Sequence, residues 1–156
     1  MNFFKSLAIT AISAVTLVTS PAIASTFTEG EKALFNSLDQ AGVEVLVGEC
    51  PTDKSYGMYN SKLNAIAICT NVATTVEQRF ETLRHEAIHA AQRCVNPSMA
   101  FTVKSSDYIL NNGYQSDWEF IQKNYKAKDW AIELEAFTLM RTSNSNVASI
   151  VNSACN

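Results

Sequence analysis

The sequence predicts an α+β fold: a small antiparallel sheet packed against one long helix, followed by a mostly helical C-terminal half. Two observations predict it. Short β-rich runs are confined to residues 43–69, and the strongest helical periodicity starts directly after them, at Thr74, with only helix signals beyond. Composition fits that class, since 156 residues with 47% apolar and 17% charged content make one globular domain. A formal net charge of −3 argues against a nucleic-acid partner, and five Gly and three Pro exclude collagenous or low-complexity character.

The chain opens on a targeting signal. Lys5 gives a positive start, residues 7–18 an apolar run, and Ala22-Ile23-Ala24 a small-residue cleavage pattern. Residues 1–24 therefore read as a secretory signal peptide. The run is short for a membrane span, and no other stretch is longer, so residues 25–156 are expected as a single domain free of the membrane, secreted or periplasmic.

Within that domain, Thr28-Glu29-Gly30-Glu31 forms a capping box, and Ala33, Leu34, Leu38 and Ala41 recur at helical spacing until Gly42 stops the helix. Residues 43–47 read as a strand. Residues 56–60 and 63–69 read as two more, joined at Ser61-Lys62. The next helix starts at Thr74 or Thr75, which have Glu77 and Gln78 at capping-box spacing. Val76, Phe80, Leu83, Ala87, Ala90, Ala91 and Cys94 form its apolar stripe.

Residues 95–103 then read as loop, Ser105-Ser106-Asp107 as the start of a short helix, and Asn111-Asn112-Gly113 as a break. Helices follow over 118–125 and 129–142, the second capped by Asp129. Residues 143–146 read as a polar linker before a last helix over 147–155. Trp118, Phe120, Trp130 and Phe137 fall at helical spacing and read as core, and Lys123, Lys126 and Lys128 as a solvated face.

Four cysteines, Cys50, Cys69, Cys94 and Cys155, all lie after the signal peptide, an even count that suits an oxidising compartment. Of the three pairings possible, Cys50 with Cys69 closes the strand-rich segment and leaves Cys94 with Cys155 to tie the tail to a helix. Two such staples compensate for the limited core of a small chain.

The chemistry lies in His85-Glu86-Ala87-Ile88-His89, an H-E-x-x-H motif inside the best helix. Four residues apart, the two imidazoles stand one turn above the other and can grip one ion, with Glu86 beside it as a base. Both point away from the apolar stripe, toward a cleft. The chain has two His in all, so this spacing with a Glu after the first arises by chance about once in a thousand such compositions. A third ligand cannot be His. A carboxylate remains, from Asp107, Asp117, Glu119, Asp129, Glu133 or Glu135. Glu133 shares its turn with Trp130, Phe137 and Met140, whereas Glu135 points to the opposite, solvated side. A carboxylate on a buried face needs a partner, which favours Glu133 and keeps Glu135 as the alternative.

The motif, with Trp130-Ala131-Ile132-Glu133-Leu134-Glu135-Ala136-Phe137 on a later helix, resembles the gluzincin type of zincin metallopeptidase. The resemblance covers roughly residues 74–142. It implies zinc held by His85, His89 and a Glu from the later helix, where Glu133 to Ala136 match an E-x-x-A pattern. The family's Asp after that Ala is Phe137 here, and Gln92 and Val95 stand where metzincins carry Gly and a third His. The resemblance further implies a minimal zincin-like fold whose edge strand, 56–60 or 63–69, pairs with extended peptide. In the implied mechanism zinc activates water, Glu86 acts as general base, and Tyr108, Tyr114, Tyr125 or Arg141 stabilises the oxyanion. The expectation is thus a monomeric zinc peptidase acting on peptide or protein. The alternative is a non-catalytic zinc-binding interaction module on the same frame. A stapled domain without metal is the third reading.

Overall fold

Local capping chemistry places the first helix. Thr28 Oγ1 accepts from the Glu31 amide at 3.3 Å and Glu31 Oε2 accepts from the Thr28 amide at 2.7 Å, which opens α1 (Glu29–Gln40). The computed structural model describes residues 27–51, 53–96 and 115–156. After α1, Gly42 at φ +68° turns the chain into β1 (Glu44–Gly48). A hairpin of β2 (Gly57–Asn60) and β3 (Ala65–Cys69) follows. Thr75, paired reciprocally with Gln78, caps α2 (Val76–Val95). The C-terminal part holds α3 (Gln115–Asn124), a 3-10 turn (Ala127–Asp129), α4 (Trp130–Leu139) and α5 (Asn144–Cys155).

The α+β class holds, but the expected antiparallel sheet is a mixed one. Strand order is β1-β3-β2, with β2 antiparallel to β3 and β1 parallel to it. The reason lies in β3. Its Ala65, Ile66, Ile68 and Cys69 are all buried, so it takes the centre, while β1 and β2 carry exposed positions and take the edges. The tight turn fixes the direction of β2. No tight turn constrains β1, which can join β3 either way round.

Ile66 and Ile68 enter one core with Leu83, Ala87 and Ile88 of α2, Leu34 and Leu38 of α1, and Val147, Ala148 and Val151 of α5. α2 runs through the middle, packed by β2 and β3, by α4 and by α5. It is therefore buried around most of its girth, down to Thr82, Arg84, Glu86, His89 and Gln92. Arg84 is held there by the Met140 carbonyl at 2.6 Å and Asn144 Oδ1 at 3.0 Å, which ties α2 to the α4–α5 junction.

Several local expectations are corrected. Val76 is 65% exposed, because the first turn of α2 stands clear of the sheet. Asp129 makes no capping hydrogen bond, since the preceding 3-10 turn already sets its backbone in the helical region. Residues 143–146 are not a linker: Ser143 Oγ accepts from the Asn146 amide and starts α5 there. Trp118, Phe120, Trp130 and Phe137 stay outside the central core, with Phe120 49% exposed. The signal peptide, residues 97–103, the helix start at Ser105 and the break at Asn111-Asn112-Gly113 lie outside the described residues.

Cys50 pairs with Cys69 and Cys94 with Cys155, as expected. The two bridges fit an oxidising, extracellular environment. Among the described residues no helix is long and apolar enough to cross a membrane. The second bridge closes 61 residues of chain and locks the end of α2 to the end of α5. Loop-closure entropy makes it the stronger staple, and Cys94→Ala/Cys155→Ala is expected to lose about 4 kcal/mol. Urea titration of the double variant checks this. An unchanged midpoint would show that α5 is held by packing alone.

Candidate metal centre

α2 and α4 build the centre between them. His85 and His89, one turn apart on α2, bring their Nε2 atoms to 3.1 Å. Glu133, in the first turn of α4, sets its Oε2 3.5 Å from His85 Nε2 and 3.6 Å from His89 Nε2. Those distances are too long for hydrogen bonds, and Glu133 Oε2 is buried with no hydrogen-bond partner among the described residues. Two ligands of one tetrahedral zinc, each 2.0–2.1 Å from the ion, stand about 3.3 Å apart. The three observed separations bracket that spacing. Two ring nitrogens set at this spacing around an orphaned carboxylate oxygen thus fit a divalent cation.

The electrostatics point the same way. Burial alone would raise the Glu133 pKa, but contacts with His85 and His89 outweigh it and hold the carboxyl at about 2. For His89, burial opposes the charge, yet Glu133 and Glu86 push its pKa up to about 9. The pocket asks for positive charge.

Glu86 reaches the centre from the same helix, 7% exposed, and its Oε2 accepts the Tyr59 amide of β2 at 2.8 Å. That contact depends on close approach of strand to helix. A Cβ on Gly57 would come within 2.6 Å of both Thr82 Cγ2 and the Ala67 carbonyl, so only glycine lets β2 lie this near α2. Cys69 N–H bonds the Tyr56 carbonyl, so by antiparallel alternation Gly57 and Tyr59 turn their backbone groups to the free edge.

Beside the histidines, Phe137 stacks edge-on against His85 with ring centroids 4.7 Å apart, and this aromatic ring fixes His85 by shape. Phe120 lies 5.7 Å and Tyr125 6.5 Å from Phe137, so these three aromatics form a wall beside the centre. Burial and the charges of Glu133 and Glu86 raise the Tyr125 pKa, and its hydroxyl contacts Glu133.

The structure separates the remaining candidates. Asp117 binds Arg141 at 2.7 Å, Glu119 accepts from Gln115 on an exposed face, and Asp129 faces Lys128. Asp107, Tyr108 and Tyr114 lie outside the described residues. Glu135 corrects the sequence reading most clearly. It is 0% exposed rather than solvated, because α4 is apolar around its girth and turns Glu135, Ala136, Thr138 and Leu139 inward. Nor does the histidine pair face an open cleft, as His89 is 8% exposed.

Sequence reasoning missed Gln92, which is fully buried and lies 2.8 Å from His89 Nδ1 through its Oε1. Its spacing three residues after His89 puts both on one helix face, and that signal was available.

A family model described as a domain of unknown function, DUF8637, matches residues 23–156. No curated protein and no solved structure matches the chain.

Proposed function

We propose, for a chain that belongs to the DUF8637 family, that it is an exported zinc-dependent peptidase, secreted or periplasmic. The convergence of His85, His89 and Glu133, with their ligand atoms all within 4.8 Å of one another, carries this reading. Glu86 beside them supports catalysis over a purely structural site, which has no need of a base at that position.

When bound, zinc would acidify water and polarise the scissile carbonyl. Glu86 takes the proton from the attacking water and returns it to the leaving amine, so the amide bond breaks to an acid and an amine with no proton left over. The Tyr59 amide holds one Glu86 oxygen and leaves the other for the proton. Of the residues considered for the oxyanion, Tyr125 stands beside the centre, whereas the Arg141 guanidinium is committed to Asp117.

Metal analysis of the protein from residue 25 onward, with a peptide-library digest, tests the reading. The expected result is one zinc per chain and cleavage that stops with a chelator and returns with zinc. Zinc without cleavage would favour the interaction module, and absence of metal would sink both.

A further inference from the structure

We propose that Gln92 is the positioning residue of the centre: its side-chain amide, oriented by Glu135 and the Ile132 carbonyl, holds His89 with the Nε2 lone pair toward His85 and Glu133. The inference rests on the metal reading above and adds the group that selects the ligand's tautomer.

The argument is one of donors and acceptors. A Gln amide has a donating end and an accepting end, and which way it points is decided by its neighbours. Gln92 Nε2 lies 2.6 Å from Glu135 Oε2 and 3.0 Å from the Ile132 carbonyl oxygen. Both are acceptors. The reversed amide would press its own oxygen against them, so the donating end is fixed on that side. The other end, Oε1, stands 2.8 Å from His89 Nδ1 and can only accept. Nδ1 must therefore carry its hydrogen, and the ring offers Nε2 as the ligand atom. Nε2 is also the atom found 3.1 Å from His85 Nε2 and 3.6 Å from Glu133 Oε2.

Burial shows what this costs. Gln92 and Glu135 are both 0% exposed, in a small core where apolar residues would fill the same space. Buried polar side chains are unfavourable unless their hydrogen bonds are met, and here the chain of bonds ends on a ligand. A neutral amide thus stands where metal-site histidines often meet a carboxylate directly, and the carboxylate acts one group further out.

Zinc affinity, read by competition with a chromophoric chelator, and imidazole ¹⁵N NMR of the metal-free protein test this together. Gln92→Met keeps the volume and removes the acceptor, and is expected to lower zinc affinity about 10–100-fold. In wild type the His89 Nδ1–H should be protected from solvent exchange.

Wild-type affinity in Gln92→Met overturns the proposal, as does an unprotected Nδ1–H, which decides the matter even where Gln92→Met fails to fold. A protected Nδ1–H in a wild type that binds no zinc would sink the metal reading and leave the relay standing.

Discussion

Glu86→Gln is expected to keep the zinc ion and lose peptide cleavage by about 10²–10⁴-fold, the usual worth of a positioned general base. The fold should tolerate the change. Glu86 Oε2 accepts the Tyr59 amide, and the oxygen of a Gln side chain can accept the same bond, so β2 stays docked on α2. What the amide cannot do is take a proton from water. The discriminating measurement is paired: zinc content by metal analysis and turnover on a peptide found in the library digest. Loss of zinc would make Glu86 a ligand, and wild-type turnover would remove it from the mechanism.

The elements legible in the sequence were those written in local chemistry. Thr28 with Glu31 and Thr75 with Gln78 mark helix starts because the capping partners lie three residues apart, and both boxes form. The hairpin was legible because β2 and β3 are adjacent in the chain. The direction of β1 was not, because it is set by a pairing with β3 across 21 residues of sequence, Glu44 to Ala65, and no local signal encodes it.

The centre divides in the same way. His85, Glu86 and His89 follow from helix periodicity within one element. The carboxylates of α4 do not, because Trp130-Ala131-Ile132-Glu133-Leu134-Glu135-Ala136-Phe137 carries no single apolar face from which to infer its orientation. Glu133 does meet the two histidines, while the companion premise of a solvated Glu135 fails, because Glu135 is fully buried. Inside, Glu135 is met by Gln92, a polar partner on another helix, and burial arguments drawn from one helix alone cannot see it.

That division of roles sets the last expectation. Glu133→Ala removes the one carboxylate oxygen that faces both imidazoles, and zinc affinity should fall by more than the roughly 10–100-fold that loss of an outer partner costs, with cleavage abolished. Glu135→Ala acts one bond further out. It leaves all three ligand atoms in place but takes the 2.6 Å acceptor from Gln92, so its zinc loss should stay within that outer-partner range. Glu135→Ala also carries a stability cost of its own: removing a fully buried hydrogen-bonded carboxylate leaves the Gln92 amide short of a partner and costs about 1–3 kcal/mol. Chelator competition therefore separates the two variants, with Glu133→Ala the weaker binder, and urea unfolding of metal-free Glu135→Ala checks the cost. Wild-type affinity in Glu133→Ala would break the assignment, and because Glu135 is turned toward Gln92 the third ligand would then have to come from residues outside those described, with Asp107 the first to test.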